Sequence, residues 1–229
     1  MTYTTYKTYG GAPSAPQQAA GGRLIPPHGG YRKLASYRSA TVTFDFGAAF
    51  ADLYFSGNKS NKSYKTYPSY GSYRSYDQLF QALRSGRQNI VEASAASGTS
   101  KKTELKLLGV ARASLEEALA DAEDFLRQRD LSLWGKDDPR AREIRALAYK
   151  TDRSYKTYET YLRAPESAAN CLVCLIRQTN YLLDRQLVAL EKQFLAEGGF
   201  TERLYRHRTN YRSYPSYKSY KSYESDFGS

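Results

Sequence analysis

At 229 residues the chain can hold one large domain or two small ones, and its 34 Lys and Arg against 23 Asp and Glu give a formal charge of +11. That excess favours an anionic partner, RNA or DNA. No apolar run of about 18 residues is present to span a bilayer, and the start lacks the apolar stretch of a signal peptide, so a cytoplasmic protein without a membrane partner is expected. Its two cysteines, Cys171 and Cys174, exclude a disulfide framework.

The hydrophobic fraction of 41% overstates the core, because most of the 22 tyrosines lie in four tracts with a three-residue beat of Ser or Thr, Tyr, then nearly anything. These tracts occupy residues 2–9, 63–76, 154–161 and 213–223. Residues 1–30, rich in Gly, Pro and Ala beyond the first tract, read as a flexible arm. A first helix is expected from Tyr31 to about Phe55, with Leu34, Tyr37, Val42, Phe46, Phe50 and Leu53 at steps near three and four. A repeat insertion near residues 57–74 follows.

The Ser75-x-x-Gln78 spacing suits a capping box, and Leu79, Leu83, Ile90 and Ser94 place one face of a second helix that runs to about Ala96. Gly98 is expected in the left-handed conformation as its stop, and Thr99-Ser100 as the cap of a third helix from Lys101 to about Leu131. That helix carries Leu105, Leu108, Leu115, Leu119, Ala122 and Leu126 on one stripe, with Gly109, Ala111, Ala113 and Ser114 open to close approach. Asp138-Pro139 caps a short helix to Tyr149, a second repeat insertion covers 151–164, and Pro165 opens a fourth long helix ended by Gly198-Gly199. TERLYRHR then makes a basic turn or two before a Tyr-rich tail at 209–229. The expected fold is all-α, an antiparallel up-down four-helix bundle over residues 31–208, with disordered Tyr-rich insertions and tails.

A repeat of three residues is nine nucleotides, so one reading of the tracts is gene-repeat expansion tolerated at joints and ends, where loops cost least. The other is a selected role as arms that stack on bases or attract further copies. Catalysis has little to work with. Only His28 and His207 are present, both expected outside the bundle, and no Glu-x-x-His pair exists for a di-iron site. Cys171 and Cys174 lack further ligands for zinc and read as buried packing, so no metal, cofactor or enzymatic site is expected. Glu116, Glu117, Glu123 and Asp124 read as a solvated helix face.

Asn89 and Glu92 lie one helical turn apart beside Ile90 and Val91, where polar groups must be hydrogen-bonded and can fix register or hold a neighbouring subunit. Around the same hairpin the cations Arg84, Arg87, Lys101, Lys102, Lys106 and Arg112 outnumber Glu92 and Glu104, while the far half of the third helix is acidic. Lys101 and Lys102 sit at a helix N-terminus, which disfavours cations unless an anion arrives. The fourth helix is apolar almost all round at residues 171–176, more than one bundle is expected to cover, which points to an oligomer.

NIVEASAASGTSKKTELKLLGVARASLEEALADAEDFL resembles the central hairpin of a bacterial four-helix bundle family, whose usual pattern is Asn-Ile-Ala-Glu-Gly, a turn, and Ala-x-x-Ser-Leu-x-Glu. That family includes proteins encoded in intervening sequences of large-subunit ribosomal RNA genes and the accessory variability determinant of diversity-generating retroelements. NCLVCLIRQTNYLLDRQLVALEKQFLAEGGFTERLYRHR is similar to its C-terminal suffix variant. Ala93 stands where the family usually has glycine. The resemblance implies a pentameric homo-oligomer with a basic surface that binds nucleic acid and a reverse transcriptase without catalysis. It assigns Arg84, Arg87, Lys101, Lys102 and Lys106 to nucleic acid; Asn89, Glu92, Ser114 and Glu117 are expected at structural or interface positions. The expectation is a non-enzymatic nucleic-acid-binding adaptor, and the alternative is a self-assembling structural protein with adhesive Tyr-rich tails.

Overall fold

The computed structural model describes residues 28–55, 69–150 and 153–212. Every regular element among them is helical: α1 (Ala35–Tyr54), α2 (Ser69–Ala96), α3 (Lys101–Arg127), α4 (Pro139–Leu147), α5 (Pro165–Glu197) and α6 (Phe200–Arg212), with 3-10 helices at Tyr31–Lys33 and Tyr155–Arg163. Residues 27–202 form one compact unit, and residues 203–212 belong to a second. The expected disorder of residues 1–27, of 57–68 and of the tail beyond 212 lies outside the described residues.

Side-chain partners set the direction of each helix pair. Ser36 donates to Gln186, Ser39 meets Thr179 and Thr43 reaches the Leu175 carbonyl, so α1 rises as α5 falls. Ser85 meets Ser114 across α2 and α3, which are joined by the turn at residues 97–100. Arg112 bonds Asp184, Asn180 donates to Glu116, and Arg177 reaches Glu123, so α3 also runs against α5. Gly47 and Gly86 let these helices close up. A Cβ at Gly47 would strike Leu83, and one at Gly86 would lie 2.7 Å from Leu115 Cγ.

Between α1 and α5 a buried seam of hydroxyls replaces apolar packing. Ser39 Oγ and Thr43 Oγ1 lie 2.9 and 3.0 Å from Thr179 Oγ1. Thr179 donates to the Leu175 carbonyl and Thr43 to that of Ser39, so every buried proton has an acceptor. The seam favours this register, since a one-residue slip would strand the Ser39 hydroxyl while Thr43 and Thr179 kept the carbonyls of their own helices.

Several helix ends follow the sequence signals. Ser100 accepts from Thr103 N at 3.1 Å to cap α3, and Asp138 accepts from Arg140 N at 2.9 Å to cap α4 ahead of Pro139. Gly198 ends α5 at φ 74, a conformation costly to other residues. Others differ. α2 starts at Ser69 rather than Ser75, inside the repeat tract. Gly98 is not left-handed; it is instead buried, and a Cβ there would lie 3.0 Å from the His28 ring. His28 therefore packs on the α2–α3 turn, and Gly29 N donates to the Ser94 carbonyl, so the chain is docked before residue 31.

The largest departure concerns the third tract. Residues 154–161, expected as disordered insertion, form most of a nine-residue 3-10 helix packed on α1 and α5. A 3-10 helix has 3.0 residues per turn, so a tyrosine at every third residue gives one continuous aromatic edge. Tyr155 and Tyr161 pack against the core and Tyr158 is fully buried, its ring edge-on to Phe46 at 6.4 Å. Together with α4 this helix covers the first half of α5, where residues 168–176 are all buried within the chain. The apolar girth of residues 171–176 therefore does not call for a second subunit.

Replacing Tyr158 with Ala should destabilise the fold by roughly 3–5 kcal/mol, the cost of emptying an aromatic core site. Denaturant unfolding checks this, and a surface-like loss below about 0.5 kcal/mol would show the tract to be ornamental. Burial, then the neighbouring Glu143 carboxylate, pushes the Tyr161 phenol up to about 12. Its folded-state value lies above the ordinary 10, so the stability it contributes is present below pH 10 and lost as pH rises towards 12. A Tyr161→Phe variant should show a shallower fall in melting temperature across that window.

Candidate nucleic-acid interface

Three segments meet at one end of the molecule. The 28–30 segment docks on the end of α2, the Tyr31–Lys33 turn packs on α1 and α2, and Ser100 starts α3 beside them. This end carries the exposed cations Arg32, Lys33, Lys102 and Lys106, with Arg38 one turn into α1. Arg32, Lys33 and Arg38 had no place in the expected site, because their position against the α2–α3 turn follows from docking that the Gly-rich sequence around Gly29 and Gly30 hides.

The sequence-assigned cations do not form one cluster. Lys101 is folded down onto Glu104, Nζ to Oε2 3.0 Å, with side chains only 11% and 9% exposed. That pairing answers the unfavourable helix dipole without an outside anion. Arg84 is exposed and Arg87 stacks 4.0 Å over the Phe44 ring, with Asp45 4.0 Å from its guanidinium. Both lie level with Ser114, roughly 18 Å along α3 from Lys102 at 1.5 Å per residue. Lys102 and Lys106 are the two assigned cations left exposed at the docking end.

The residues expected at structural or interface positions also separate. Asn89 donates to the Ser85 carbonyl at 2.9 Å and to Ser85 Oγ at 3.2 Å, and Ser85 meets the buried Ser114. Ser85 and Ser114 thus tie α2 to α3, and Asn89 holds Ser85 from within α2. Glu92 and Glu117 are exposed and take no part in that lock. Beyond Ser114 the acids largely pair within the chain: Arg112 binds Asp184 and Glu116, Arg177 binds Glu123, and Arg127 binds Asp124.

Cys171 and Cys174 are buried free thiols. Burial pushes both thiols up, Cys171 well above the usual value, which keeps them protonated and inert as packing groups. No group of His, Cys, Asp or Glu among the described residues is arranged to hold a metal. α6 carries Arg203, Arg206, His207 and Arg208 as a 13-residue helix, longer than the one or two turns expected. No family model, curated protein or solved structure matches the chain.

Because the Lys101 ammonium neutralises a buried carboxylate, Lys101→Met should cost about 2 kcal/mol of folding stability, less than the ~3–5 kcal/mol of a fully buried pair. Lys102→Met, on an exposed side chain, should change it by less than about 0.5 kcal/mol. Thermal melts of the two variants at equal salt separate the structural cation from the surface one.

Proposed function

We propose that the protein is a non-enzymatic nucleic-acid-binding adaptor built on an antiparallel up-down four-helix scaffold of α1, α2, α3 and α5. The observation that carries the reading is the gathering of Arg32, Lys33, Lys102 and Lys106, all exposed, around the α2–α3 turn. Among the described residues, none of these four is paired to a carboxylate as Lys101 is. Lysines and arginines spread over a rigid end suit a phosphate backbone, which they bind by releasing counterions and without reading sequence. A reverse transcriptase as protein partner rests on the family resemblance, as does a pentameric assembly, to which a two-fold contact through α3 is the competing arrangement. The alternative, a self-assembling structural protein with adhesive Tyr-rich tails, draws support from the exposed face of α3, on which Lys102 and Lys106 also lie.

Reversing Lys102 and Lys106 together to Glu should remove binding to a fluorescent RNA or DNA duplex, whereas Arg84→Glu, at the other level of the fold, should leave most of it. Wild-type affinity should fall steeply with salt, each phosphate contact adding roughly 0.9 to the slope of log affinity against log salt on duplex DNA. Anisotropy titrations at two salt concentrations read both effects. Salt-independent binding, or no binding by the wild type at low salt, would overturn the reading.

A further inference from the structure

α3 turns a long stripe to solvent. Lys102, Lys106, Gly109, Val110, Ala113, Glu117, Ala120 and Asp124 are exposed, and Asp121 is half-buried beside them. A Cβ added at Gly109 would meet nothing within 4 Å, and Val110 is 42% exposed, so the middle of the stripe is small, apolar and uncovered. Of the four small residues expected to admit a close neighbour, Gly109 and Ala113 are uncovered within this chain. Ala111 and Ser114 face the core instead.

The charges along the stripe are segregated, with Lys102 and Lys106 before the apolar centre and Glu117 and Asp121 after it. The flanking charges are already used: Arg112 by Asp184 and Glu116, Glu123 by Arg177, and Asp124 by Arg127. Among the described residues, Lys102, Lys106, Glu117 and Asp121 have no such partner. The acidic half is also self-repelling, since burial first and then Asp124 and Glu117 push the Asp121 carboxyl up.

We propose that the α3 stripe is a two-fold docking surface for a second copy of this chain, laid antiparallel with its axis between Val110 and Ala113. In that register Lys102 faces Asp121 of the other copy, Lys106 faces Glu117, and Val110 packs on Ala113. Each contact occurs twice, as a two-fold interface requires. Gly109, Ala113 and Ala120 keep the facing helices close, and the separated charges reject a parallel arrangement, which would set like against like. The dimer stands on the stripe alone. Its consequence rests on the proposed function: Lys102 and Lys106 cannot hold a partner's carboxylates and a phosphate backbone together, so self-association and nucleic acid compete for one end of α3.

Sedimentation of the full chain without nucleic acid tests the dimer. At low salt the wild type should sediment as a dimer that dissociates as salt rises. Lys102→Glu with Lys106→Glu makes the stripe wholly acidic, and Glu117→Lys with Asp121→Lys makes it wholly basic, so each double variant alone should be monomeric. Mixed in equal amounts they should form a heterodimer, because every facing pair is again opposite in sign. Recovery on mixing also shows that both variants are folded. A wild-type monomer at low salt, a dimer unmoved by either reversal, or two folded variants that stay apart on mixing would overturn the proposal. Failure here leaves the nucleic-acid reading standing, since that is read by anisotropy on duplex. Where both hold, the Glu117→Lys, Asp121→Lys variant should bind duplex more tightly than the wild type.

Discussion

The fold depends on covering the first half of α5. Nine consecutive residues there, 168–176, are buried, which no single helix neighbour can achieve, since one neighbour shields only part of a helix's circumference. α1 and α3 take two sides. The remaining side is closed by α4 and by the Tyr155–Arg163 helix, with Tyr158 driven inward against Phe46. A buried loop would leave backbone polar groups unsatisfied, and the 3-10 geometry pairs them locally while still presenting an aromatic edge. The excursion between α3 and α5 is thus a wall of the core.

The corner that aims this excursion is polar. Asn170, itself buried, accepts from Trp134 N at 2.8 Å and donates to the carbonyls of Ser132 and Glu166. Glu166 accepts from the Trp134 indole, and Arg140 lies 4.0 Å over the Trp134 ring. One side chain on α5 therefore ties down the segment leaving α3, and the Asp138 cap then launches α4 back along α5. The exposed cations gather at the opposite end, around the α2–α3 turn.

What could be read from the sequence was local. Apolar periodicity gave α1, α3 and α5 their faces, and Ser100, Asp138 and Pro165 mark helix starts because capping depends on residues within one turn. What could not be read was tertiary. The tract at 154–161 and the one at 63–76 share the same beat, yet only packing against Phe46 and α5 makes Tyr158 a core residue. Leu53 fits the α1 stripe by spacing but is 41% exposed, because the stripe drifts off the core face near the helix end. The site was half legible for the same reason: Lys101 and Lys102 are neighbours in sequence, and a single turn of helix sends one to Glu104 and the other to solvent.

Charge along α3 follows from this arrangement. A helix whose N-terminal turns are basic and whose far half is acidic opposes its own macrodipole, so the pattern lowers helix stability and needs an external reason. Pairing within the chain supplies part of it, through Lys101 with Glu104 at one end and Arg127 with Asp124 at the other. Of the charges left over, Lys102, Lys106 and Glu117 are exposed where solvent screens them, and Asp121 lies half-buried beside them. An anion at the basic end or a second α3 laid antiparallel each relieves the same unfavourable dipole. Both put negative charge beside Lys102 and Lys106, so the helix that is least favourable alone is the one with most to gain from a partner.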